Sequence, residues 1–221
     1  MWGEIVVRTD LILKELRHHA PFTALGALTG VFLLVLTAGV LTRMGHEYLF
    51  HFLHSLHLFL SATVTTAICG KYGRGKGEVL AVGFFGSVGI CTLSDVLLPH
   101  AGGLILDIPM GFHLCPLEHP HLILPSALFG MGLGLARPST ELPHSGHVLT
   151  STYASAFYLT AFGTPSSWFP FLPALFLLLF LAVWLPCCTS DFIFPLLFVE
   201  HPPSPEGAGN WEVLRTEGGS S

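Results

Sequence analysis

The chain has 221 residues, of which 51% are hydrophobic and 10% are Asp, Glu, Lys or Arg, far below the roughly one quarter charged that water-soluble domains carry. A single soluble core is excluded. A formal net charge of −5, with nine Lys plus Arg, also argues against nucleic acid as a partner, because that binding needs basic groups to neutralise phosphates. What remains is an all-α polytopic membrane protein whose first partner is the lipid bilayer.

In chain order, residues 1–20 come first. On a helical wheel Trp2, Ile5, Val6, Ile12, Leu13 and Leu16 gather on one side, which predicts an amphipathic interfacial helix. Arg8 and Asp10 break the apolar run and no small-residue cleavage site follows, so this is not read as a signal peptide. A span needs about 20 mainly apolar residues. Stretches at 21–43, 47–69, 79–99, 121–137 and 168–187 qualify or nearly do, and a shorter one at 147–163 is richer in Ser and Thr. The expectation is about six transmembrane helices within a domain at 21–199. Segment 101–112 is apolar but too short to cross and carries Asp107, so it reads as re-entrant or interfacial. Phe192 to Val199 contains Pro195 and reads as a kinked extension of the last helix or a surface segment. The Pro- and Gly-rich stretch 200–221 has nothing to bury and is expected to be disordered. Basic residues set the orientation: Arg8, Lys14 and Arg17 before the first span, and Lys71, Arg74 and Lys76 in the second connection, place both termini in the cytoplasm and the 100–121 connection outside. Gly130 with the pair 132–134, and the series Gly83, Gly86 and Gly89, are read as permitting close helix contact.

Five Cys at irregular spacing form no disulfide framework. The thirteen His are more informative. At about 100° per residue, His46, Glu47, His51, His54 and His57 point to about 0°, 100°, 140°, 80° and 20°, sharing one face of the second span; Ser61 and Thr65 continue it, and Phe50 and Val64 interrupt it. Ionisable residues at membrane depth usually face a bundle interior or watery cavity. Imidazoles beside a carboxylate are ligands for zinc, iron and related ions. In the third span Ser87, Cys91 and Asp95 lie one turn apart on one face. The following connection adds His113, Glu118, His119 and His121, on the same outer side as Glu47 and His51. A second candidate group, toward the cytoplasm, is His144, His147, Cys187, Cys188 and Asp191.

Other motifs fall short. ArgPro at 137–138 and SerGlyHis at 145–147 resemble fragments of the membrane phosphatidic acid phosphatase signature, but no later Ser-Arg block with a nucleophilic His follows. HisGluTyrLeuPheHis at 46–51 is one residue too long for the His-Glu-x-x-His zinc motif. A haem held by His54 and His147 is disfavoured because their positions along the spans place them toward opposite faces. The leading expectation is therefore a divalent transition-metal transporter or permease component, Zn or Fe being the first choices, with outer ligands Glu47, His51, His54, His57 and Asp95 and collecting residues in the loop. The alternatives are a Zn- or Fe-dependent membrane enzyme acting on a lipid or isoprenoid, and a non-catalytic subunit of a membrane complex. Assembly as a homo-oligomer or with other membrane subunits is compatible with each.

Overall fold

A computed structural model describes residues 9–72, 75–136 and 141–188. Among these the elements are helical throughout: α1 Thr9–Ala38, α2 Arg43–Tyr72, α3 Lys76–Thr92, a π-helical turn Leu93–Leu97, α4 Leu98–Ile105, α5 Cys115–Glu118, α6 Pro120–Ala136, α7 Glu141–Phe162, a 3-10 turn Phe169–Phe171 and α8 Leu172–Cys188. Four stretches, Ala20–Ala38, Arg43–Gly70, Lys76–Ile105 and Phe169–Cys187, are long and apolar enough to cross a membrane. All six expected spans are helical, but α6 is a shorter apolar helix and α7 falls outside that set.

The reason for the exception is position. From Ser151 to Phe162 α7 is buried at every residue except the half-buried Tyr153, so its Ser and Thr hydroxyls meet protein, and small Ala154, Ala156 and Ala161 let neighbours close in. α2 packs against α7, α6 and α3, while α1 packs against α8 and α7. The outer surface of α1 exposes Leu25, Leu28, Phe32 and Leu36, and that of α8 exposes Leu177, Leu181 and Leu185, apolar stripes at helical spacing of the kind a bilayer covers.

Two features differ from the sequence reading. α1 runs from Thr9 through Pro21 as one helix, so the described part of the N-terminal segment continues into the first span with no break at residue 20. The stretch 101–112 divides: α4 prolongs the third apolar helix to Ile105, and Asp107, at φ 56°, turns the chain back. Ile108 is then buried among Leu34, Leu159, Leu175 and Leu179, and the Gly111 amide donates to the Phe162 carbonyl at 2.7 Å. Residues 1–8 and 189–221, which hold the start of the amphipathic segment, Asp191, the 192–199 run and the expected tail, lie outside the described residues.

The π turn has a visible chemical cause. Its widened register sends the Leu98 amide to the Leu93 carbonyl. The Ser94 carbonyl would then need an amide from residue 99, which is proline and has none. The Ser155 hydroxyl of α7 donates to it instead, at 3.1 Å. A single π turn inside an α-helix often marks a functional position, and this one carries Asp95.

On α6, Gly130 and Gly134 face the α2 backbone, where an added Cβ would press on the Phe59 and Thr63 carbonyls; Gly132 and Gly89 face open space. Only part of the glycine series therefore serves helix contact.

Candidate metal centre

His51, His54 and His57 of α2 recur at i+3, and each step turns the side chain back by about 60°. The row therefore spirals and successive rings meet different neighbours. His51 faces the 113–119 connection, whereas His54 and His57 face Asp95 of the π turn, His57 also meeting Cys91 of α3 and His147 of α7.

At the first level, the Nε2 atoms of His51 and His113 lie 3.1 Å apart. His51 Nδ1 is 2.8 Å from the Glu47 carbonyl and His113 Nδ1 is 2.9 Å from Glu118 Oε2. Because those acceptors take the Nδ1 protons, both Nε2 lone pairs point at the shared space. His119 completes the group: donor atoms of His51, His113 and His119 lie within 4.8 Å of one another. Three imidazoles match the protein ligand set of three-histidine zinc sites. Burial and the neighbouring His119 hold His113 below the usual 6.5 against the raising pull of Glu118. Glu118 accepts the Leu114 amide, and that bond with nearby His113 keeps its carboxyl below the ordinary range. Burial pushes the Cys115 thiol up to about 12. His121 is exposed and touches only the His119 ring edge among the ring contacts. The Glu47 side chain is half-buried and acts on His113 electrostatically.

Between the levels sits Phe50, fully buried. Its ring stacks on His54 at 5.4 Å and meets Tyr158 and Phe162 edge-on. The apolar interruption of the polar stripe is thus a spacer that keeps the two levels apart.

At the second level, Asp95 Oδ2 accepts from His54 Nδ1 at 2.9 Å and from His57 Nδ1 at 2.7 Å, while Oδ1 accepts from the Ser94 and Ser151 hydroxyls, each at 2.7 Å. A carboxylate offers about four lone-pair positions, and all are used. Asp95 therefore orients two imidazoles, and does so at 0% exposure. The His54 Nε2 atom is buried with no hydrogen-bond partner. His57 turns its Nε2 to Cys91 Sγ at 3.6 Å, stacks on His147 with ring centres 5.6 Å apart, and forms with His147 and Cys187 a second group whose donors lie within 4.8 Å.

The candidates distribute as follows. His51, His113 and His119 come together with Glu118 and Glu47 beside them. His57 leaves the outer set and joins His147 and Cys187 of the inner one. The side chains of His144 and Cys188 lie outside the described residues, as does Asp191. His147 is opposite His57 because α7 begins at Glu141, which brings the ring deeper than a span starting at 147 would. Ser94, Ser151 and Ser155 were not anticipated; the i+4 series His147, Ser151, Ser155 on α7 is the signal that marks this face. Comparison with profiles of known families, with curated proteins and with solved structures gives no significant match, so the chemistry is read from geometry.

Proposed function

We propose that this chain is a membrane transporter, or a permease component, for a divalent transition metal, with the His51, His113 and His119 group on the extracytoplasmic side capturing the ion and the His57 group receiving it. The observation that carries this reading is two donor sets at two depths on one helix. His51 and His57 are separated by about 9 Å of helical rise, with His54 between them and its Nε2 buried without a partner. Inward of His57, Ser61, Thr65 and Thr66 are buried on the same helix, and the Thr65 and Thr66 hydroxyl oxygens have no partner. A hydrolytic or oxidative enzyme needs one open metal site and has no use for polar groups beyond it, whereas an ion moving through needs successive sites that can release it. The orientation follows from the basic residues at 8, 14, 17, 71, 74 and 76.

The test is zinc flux into proteoliposomes holding the purified chain. Replacing Ser61 by Ala and Thr65 by Val should slow flux while leaving binding at the outer group nearly intact. Bound metal without flux in either direction would discard transport. It would favour the metal-dependent lipid enzyme, whose one supporting observation is the three-imidazole group itself, the ligand number catalytic zinc sites use.

A further inference from the structure

We infer that Cys91 joins His57, His147 and Cys187 in a fully buried four-donor site with two sulfurs and two imidazole nitrogens, suited to zinc or another thiophilic divalent ion. The site stands on its own geometry; only its part as the inner station rests on the transport reading.

Three observations converge on it. First, with metal–nitrogen and metal–sulfur bonds of about 2.05 and 2.3 Å, adjacent nitrogen and sulfur ligands on a tetrahedral zinc lie about 3.6 Å apart, and His57 Nε2 to Cys91 Sγ is 3.6 Å. Second, Asp95 holds the His57 Nδ1 proton, which leaves Nε2 as the ring's lone-pair donor. The group comes from four separate elements, α2, α3, α7 and α8, so no local turn forces these side chains together. Third, all four side chains are withdrawn from solvent: exposure is 1% for His57, His147 and Cys91 and 3% for Cys187. A dication there needs anionic partners; a thiol gives up its proton as the metal binds, and the Asp95 carboxylate already lies 2.7 Å from His57 Nδ1. The donors of His57, His147 and Cys187 lie within 4.8 Å of one another; Cys91 stands outside that trio and contacts His57 of the three, so loading draws the trio in by about 1 Å and brings Cys91 Sγ in beside His57 to meet a zinc-sized ion.

The donor set also narrows the ion. Imidazole suits zinc, copper, iron and nickel, while thiolate outside clusters selects zinc and cuprous ions. Of the divalent ions acceptable to the all-nitrogen outer group, zinc is the one both sites favour.

The experiment titrates the purified full chain in detergent with Co2+ under reducing conditions. The expected result is two equivalents bound, one of them giving sulfur-to-cobalt charge transfer in the near ultraviolet and strong tetrahedral visible bands. Cys91→Ser and Cys187→Ser should each lower the charge-transfer absorbance about twofold, since each removes one of two sulfurs, and His119→Ala should remove the other equivalent without touching that band. Cadmium-113 resonance on the unaltered chain covers variants that fail to fold: one signal should fall in the range of mixed nitrogen and sulfur ligation. Absence of sulfur charge transfer, or loss of the whole band in Cys187→Ser with none in Cys91→Ser, would overturn the four-donor site. In the first case an outer equivalent would still support metal capture. Two equivalents with the expected spectrum but no zinc flux would leave this site standing and remove transport.

Discussion

His51 and His113, separated by 62 residues of chain, bring their Nε2 atoms to 3.1 Å. Each ring gives its Nδ1 proton to an oxygen acceptor, Glu47 carbonyl or Glu118 carboxylate. Two bare nitrogens that close repel unless a proton or a cation lies between them. The adjacent His119 makes a cation the better fit, because it supplies a third donor. His51→Ala, His113→Ala and His119→Ala should each weaken zinc binding at the outer group at least about tenfold, and Glu118→Gln by about tenfold through lost orientation. His121→Ala should change it little. Calorimetric titration with zinc distinguishes these; equal losses in all five variants would mean the ring geometry is incidental.

A pH dependence follows from His113, whose imidazolium is disfavoured chiefly by burial. Because its folded-state pKa is lowered, the unfolded chain binds the proton first, so stability from this group is fully present above 6.5 and is lost as pH falls from there toward the lowered value. Glu118 pulls in the opposite direction. Glu118→Gln in metal-free protein should therefore move His113 titration further toward acid, as read from its ring C–H resonances. Movement toward alkali would contradict the assigned ion pair.

Asp95 is argued to be a positioning residue. Asp95→Ala removes the acceptor of both imidazoles and both hydroxyls, leaving the His54 and His57 N–H groups buried without that partner. Loss of one member of such a buried pair costs about 3–5 kcal/mol, so thermal unfolding in detergent should shift strongly downward and the His57 site should fail to load. Little change in either would mean that the two imidazoles do not depend on it.

The π turn gives a paired prediction. Ser155→Ala strands the Ser94 carbonyl and should cost about 1–3 kcal/mol. Pro99→Ala restores a backbone amide at the position that carbonyl lacks, so the double variant should recover part of that loss in a double-mutant cycle. Strict additivity would sink the account of the turn.

Gly130→Ala and Gly134→Ala should each destabilise by about 1–3 kcal/mol through overpacking against α2, while Gly132→Ala, with nothing within 4 Å of the added carbon, should be neutral or slightly stabilising. Thermal melting of the three variants side by side checks this.

What the sequence by itself determined was the class and the donor row. Apolar stretches of bilayer length follow from composition, and the placement of His46, Glu47, His51, His54 and His57 on one face follows from helical pitch alone. The pairing of residues distant in the chain needed tertiary structure. Helical pitch says which side of α2 a ring occupies, but which neighbour it meets depends on the packing order and on the depth at which each helix starts. Hence His57 could not be joined to His147 and Cys187 from spacing, since α7 reads by composition as a marginal span and is in fact the buried helix whose polar side chains are satisfied by protein. Likewise, Asp95 was legible as an expensive buried carboxylate. That its oxygens are filled by His54, His57, Ser94 and Ser151, making it an orienting group, was settled by a π turn whose sequence trace is a single proline four residues on.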